Sequence, residues 1–129
     1  KEEVEIPDIL SYPTFMISPV MKNLFLLYDS TIAFKAIQVF SIDQSDKTAP
    51  LYWIPDLPLV DCLHSESTWF GNGTLKELVL REEAMKGLPI FKVKGILENR
   101  VIISLAVAES LLRRDLVGIG LDKVKLGES

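Results

Sequence analysis

The spacing of apolar positions along this chain changes several times, and the changes mark its elements. Two segments share one pattern. FMISPVMKNLFLLYD at 15–29 lies over VIISLAVAESLLRRD at 101–115, with Ser18 opposite Ser104 and Asp29 opposite Asp115. One residue inserted after the aspartate brings Ile32, Phe34, Ile37 and Val39 opposite Ile119, Leu121, Val124 and Leu126. Each copy reads as a short apolar strand, a serine whose hydroxyl caps the free amides of a helix start, about ten helical residues, and a second strand. Pro19 suits the first helical position. Val20, Leu24 and Leu27 in the first helix, and Leu105, Ala108 and Leu112 in the second, recur at helical spacing and are expected to face a sheet. Alternation breaks between Phe34 and Ile37, and again between Leu121 and Val124, which predicts a bulge in each second strand.

Between the copies the period shortens towards that of strands. LPLVDCL at 57–63, LKELVL at 75–80 and PIFKVKG at 89–95 are the candidates, and the Asn72-Gly73 pair is a tight-hairpin signal. REEAMKG at 81–87 fits one helical turn or a loop. Pro50, Pro55 and Pro58 divide APLYWIPDLPL into extended pieces, which argues against a regular central strand there. The expected fold is α+β, with two strand-helix-strand repeat units at about 14–40 and 101–126 flanking an antiparallel β middle at 50–95. Nothing in the composition marks a linker, so residues 1–129 read as a single domain.

Composition fits that expectation. With 48% hydrophobic and 25% charged residues and a net charge of -4, the 129 residues are typical of one soluble globular domain. The longest apolar runs, NLFLLY at 23–28 and VIISLAVA at 101–108, fall far short of the ~20 residues of a membrane span, so no membrane association is expected. A lone cysteine, with nothing to pair to, points to a reducing compartment and a cytoplasmic location. Residues 1–66 carry 4 Lys or Arg against 10 Asp or Glu, and residues 67–129 carry 10 against 8. A first half at -6 and a second at +2 argue against a nucleic-acid binder and suit a basic protein partner.

The candidate chemistry concentrates in LVDCLHSESTW at 59–69, which holds the chain's only cysteine and only histidine. On a strand, Cys62, His64 and Glu66 would share a face. Side chains two apart there stand roughly parallel and about 7 Å apart, too far for the direct hydrogen bond that activates a nucleophile. No helix begins behind Cys62 to lower its pKa. Zinc wants at least three ligands and finds two, so no metal or other cofactor is expected. GNG at 71–73 lacks the spacing of a phosphate loop and reads as a turn. Lys92 with Lys94, Lys123 with Lys125, and Arg113 with Arg114 look like solvated faces without interleaved aromatics, and no small-molecule ligand is expected. YWIPD at 52–56 is the better partner-binding candidate. Trp53 is rigid, large and framed by prolines, and Asp56, Asp61 and Glu66 supply acidity around it.

FMISPVMKNLF, LPLVDCLHSES, PIFKVKG, VIIS and SLLRRDLVGIGLDKVKL occur in an order that resembles a broad family of immunity proteins from bacterial polymorphic toxin systems, found beside toxin genes. The resemblance runs over about residues 13–126. It implies a protein without catalysis, held in the cytosol of the producing bacterium, that binds a cognate protein toxin and blocks it. Toxin-facing surfaces vary within such families, so the resemblance assigns no binding residue. Two other readings stay open on the residues themselves, a small cytosolic enzyme using Cys62 and His64 and a generic protein-interaction domain.

Overall fold

The computed structural model describes residues 7–11, 14–39 and 50–128, and the fold is α+β. The chain packs as two compact units, one holding the residues up to Asp56 together with Glu109–Gly120, the other Leu57–Ala108 together with the residues from Leu121 on.

In the first unit, β1 (Ile9–Leu10), β2 (Met16–Ile17), β3 (Ala33–Gln38) and β4 (Leu51–Asp56) form a sheet in the order β1-β2-β4-β3, every neighbouring pair antiparallel. Helix α1 (Pro19–Tyr28) starts where the sequence places it. The Ser18 hydroxyl accepts the Met21 N–H at 3.3 Å, and Pro19 opens the helix. At the other end the Asp29 N–H donates to the Phe25 carbonyl at 2.9 Å, and the Asp29 carboxylate accepts both the N–H and the hydroxyl of Thr31. Tyr52 lies buried with its hydroxyl donating to the Pro7 carbonyl at 2.6 Å; burial, helped by the nearby Asp8 carboxylate, pushes its phenol up from the usual range.

Two expectations fail in this sheet. β4 is a central strand despite Pro55, which sits opposite Phe34. The reason is that β2 reaches β4 only at Trp53, so beyond that point β4 is paired on one side and a missing N–H can face the open side without breaking a ladder. β3 also pairs with β4 residue for residue from Ala33↔Asp56 to Gln38↔Leu51, so the expected bulge between Phe34 and Ile37 is absent.

The second unit holds β5 (Leu59–Val60), β6 (Thr68–Trp69), β7 (Leu75–Glu77), β8 (Val79–Leu80), β9 (Ile90–Val93), β10 (Val101–Ile103) and β11 (Lys125–Leu126), with a single 3-10 turn at Glu82–Met85. A β6–β7 hairpin does form around the Asn72-Gly73 pair, but through a loop at 70–74 with a register shift rather than a tight two-residue turn. Gly73 takes φ +87° and donates to the Phe70 carbonyl, while the Asn72 side chain accepts the N–H and hydroxyl of Thr74. The middle is mixed rather than antiparallel. β10 pairs antiparallel with β9, but β5 runs parallel to β9 and β11 parallel to β8. The core gathers Cys62, Leu75, Leu78, Leu80, Phe91 and Val93.

Helix α2 (Leu105–Leu112) begins at Ser104, whose hydroxyl accepts the Val107 N–H at 3.3 Å, so both serines cap helix starts. Leu24 is buried as expected, but both helices bury a stripe rotated from the expected one. Leu27 is 76% exposed and Leu112 71%, while Met21, Leu24 and Phe25 in α1 and Val107, Ser110 and Leu111 in α2 are buried. These are the same three positions of the two aligned segments. In PVMKNLFLLY apolar residues lie almost all round, so helical spacing fits two stripes equally and packing of the bulkier Met21 and Phe25 decides. The second copy's closing strand, expected over Ile119–Leu126, is only Lys125–Leu126.

Candidate functional site

The stretch around Cys62 is not the long strand its apolar pattern suggests. Strand pairing ends at Val60, Leu63 makes one isolated bridge to Leu80, and the chain turns at Ser65 and Glu66. Cys62 is fully buried in the core, and burial is the main reason its thiol is pushed up; Asp61 adds to this and the Arg81 cation opposes it. The backbone around it is held by Arg81, whose N–H donates to the Cys62 carbonyl at 2.8 Å and whose guanidinium reaches the Leu63 and Asp61 carbonyls at 3.3 and 2.7 Å.

His64 is committed on both ring nitrogens. Nδ1 accepts the Glu66 N–H at 3.0 Å, which assigns the proton to Nε2, and Nε2 then donates to the Glu128 carbonyl at 2.9 Å. The Glu66 carboxylate lies 3.9 Å from Nδ1, too long for a hydrogen bond and facing a nitrogen that already accepts a backbone N–H, so no ion pair is built on it. Gly127 lies against the imidazole so closely that a Cβ would stand 2.3 Å from the ring. The imidazole is therefore a clamp between the 64–66 turn and the C-terminal segment, with no lone pair left to act as a base on Cys62.

Ser67 completes this turn. Its buried hydroxyl donates to the Val79 carbonyl at 2.8 Å and accepts the Val79 N–H at 3.0 Å, replacing a strand neighbour. Among the described residues no three His, Cys, Asp or Glu side chains converge as metal ligands, and no helix is long and apolar enough to cross a membrane.

Cys62→Ala is expected to cost about 1 kcal/mol through a small cavity while leaving biological activity unchanged. In the native protein the thiol should resist alkylation at neutral pH and react fully once the chain is unfolded. Rapid native labelling, measured by intact mass, would show an accessible thiolate instead.

The four partner-binding candidates fall in two places. Trp53 and Asp56 belong to the first unit, Asp61 and Glu66 to the second. Trp53 is half-buried, and the Lys22 ammonium from α1 sits 3.6 Å from its ring centroid and 5.7 Å from that of Phe34. Asp56 is exposed at the end of β4; three residues from Trp53, it projects from the opposite face of the strand. Asp61 and Glu66 are exposed, with their backbones in the Arg81 and His64 contacts just described.

The sequence reading passed over Trp69 and Phe70, which are exposed beside the hairpin loop. The signal was present, since residues flanking a tight turn in a small hairpin have little to pack against. It also passed over a cleft beside β9, which Lys92, one of the supposedly solvated lysines, lines together with Glu98 and Arg100.

Comparison with family models, with curated proteins and with solved structures finds no match to this chain. The fold and the site thus define the protein as a small α+β chain whose single Cys-His cluster is built into its framework.

Proposed function

We propose that this chain is a non-catalytic bacterial immunity protein that binds a cognate protein toxin in the cytosol and blocks it. The observation that carries the non-catalytic part is the commitment of Cys62 and His64 to structure: one is buried in the core, the other is bonded through both nitrogens. The choice of partner is supported by the ordered resemblance to immunity proteins and by the -6 charge of residues 1–66. Many toxin domains act on nucleic acids and are basic, and an acidic inhibitor would steer their approach and cover the face meant for phosphates.

Within the acidic half, Trp53 is the anchor, and Asp56, on the other face of β4, contributes long-range steering charge only. Trp53→Ala is expected to weaken toxin binding by about 2 kcal/mol. Lys22→Ala, which uncovers the ring without removing it, separates loss of the anchor from loss of the Lys22 contact. Asp56→Lys should slow association at low salt and have little effect at high salt. Surface plasmon resonance against the toxin encoded beside this gene measures all three. An association rate indifferent to salt, or full-strength binding by the Trp53 variant, overturns this interface.

A further inference from the structure

The loop at 70–74 that joins β6 to β7 carries the one Asn-Gly pair of the chain. Gly71, Asn72 and Gly73 are all exposed, and the space beside them is open: a Cβ on Gly71 would meet nothing within 4 Å, and one on Gly73 only Leu97 Cδ1 at 4.0 Å. The Asn72 side chain folds back across the peptide that follows it. Its carboxamide meets the Thr74 N–H at 3.1 Å and the Thr74 hydroxyl at 2.7 Å. A backbone N–H can only donate, so the atom facing it is the oxygen Oδ1, and the amino group Nδ2 lies on the other side of Cγ. Among the described residues no hydrogen bond holds Nδ2.

These contacts make a turn, and they also set up an intramolecular acyl transfer. The backbone nitrogen after an asparagine can add to Cγ and close a five-membered ring, and glycine leaves that nitrogen unshielded by any side chain. Two donors on Oδ1 draw charge from Cγ and stabilise the oxyanion that forms as the nitrogen adds. We propose that Asn72 is a modification site, converted in the folded chain to aspartate and isoaspartate with water as the co-reactant and Thr74 as the oxyanion donor. The Gly73 nitrogen gives its proton to solvent base and bonds to Cγ; the Cγ–Nδ2 bond then breaks, and its electron pair leaves with Nδ2 as ammonia, protonated by water. Water opens the cyclic imide at the Asn72 backbone carbonyl to give isoaspartate, or at Cγ to give aspartate. The contact that opposes the reaction is the Gly73 N–H to the Phe70 carbonyl at 3.0 Å, which must open first. Either product adds a negative charge, and isoaspartate also lengthens the main chain between the exposed Trp69 and Phe70 and strand β7. The site shares no residue with the Trp53 surface, so its test and the toxin-binding test fail independently.

The test is incubation of the whole chain at neutral pH, native and in guanidinium chloride, with conversion followed over time by peptide mapping in the mass spectrometer. In the native chain conversion is expected at Asn72 alone, with Asn23 before Leu24 and Asn99 before Arg100 intact as internal controls. Thr74→Val removes the hydroxyl and keeps the N–H. With an unchanged circular dichroism spectrum it should slow conversion of the folded chain about threefold or more, and it should have no effect on the unfolded chain, where the turn is gone. An Asn72 that stays intact in the folded chain while the unfolded chain converts overturns the proposal. So does a Thr74→Val effect that is absent, or that is equally large in guanidinium chloride.

Discussion

Replacing Ser67 by alanine is expected to lower the unfolding free energy by about 3 kcal/mol, more than an exposed serine in a turn would suggest. The hydroxyl both donates to and accepts from the backbone of Val79, a residue with no exposure at all. The Val79 carbonyl keeps a second donor in the His64 N–H at 2.9 Å. The Val79 N–H keeps nothing, and a buried orphan N–H costs about 1–3 kcal/mol on top of the hydrogen bond lost from the serine. Urea unfolding of the wild type and the variant measures the difference. A cost near 0.5 kcal/mol, roughly that of an ordinary surface substitution, would mean that water reaches Val79 once the hydroxyl is gone.

Asp8→Ala is expected to destabilise by about 3 kcal/mol as well, through a different mechanism. The Asp8 carboxylate accepts the Ser18 hydroxyl at 2.6 Å through Oδ1 and the Val117 N–H at 2.8 Å through Oδ2. Its backbone repeats both links, donating to the Val117 carbonyl at 2.9 Å and accepting the Ser18 N–H at 2.8 Å. One residue thereby joins the cap of α1 to a segment 109 positions away. Alanine keeps the backbone pair and removes the two charge-assisted bonds. Gly118, at φ +82°, lets the chain pass beside Pro7, where a Cβ would already stand 3.2 Å from the proline. Asp8→Asn retains one acceptor oxygen and should lose about half as much. Thermal unfolding of the two variants separates these outcomes, and equal loss in both would assign the effect to charge rather than to hydrogen bonding.

The candidate site was legible in part. The strand spacing from which the sequence argues against Cys62 and His64 as a catalytic pair does not hold, since strand pairing ends at Val60. The reason the structure adds is different: His64 bonds Glu128, 64 positions along, and no local pattern signals that contact. Trp53 was legible as a large aromatic but not as the seat of the Lys22 ammonium, which depends on how α1 lies over β4. The Lys92–Glu98–Arg100 cleft was invisible, because alternating lysines on a strand look the same whether they meet bulk water or a loop folded back beside them.

What the sequence determined by itself is whatever closes within a few residues. The serine caps at Ser18 and Ser104 and the turn around Asn72-Gly73 rest on hydrogen bonds or steric preferences spanning about four positions, and the succession of strand-like and helix-like segments indicates the α+β class. The tertiary structure alone decided the rest. Pro55 lies within a central strand because β2 stops short of it, both helices turn Met21 and Val107 inward in place of Leu27 and Leu112, and β5 pairs in parallel with β9. In each case several local solutions are nearly equal in free energy, and burial against residues distant in the chain selects among them.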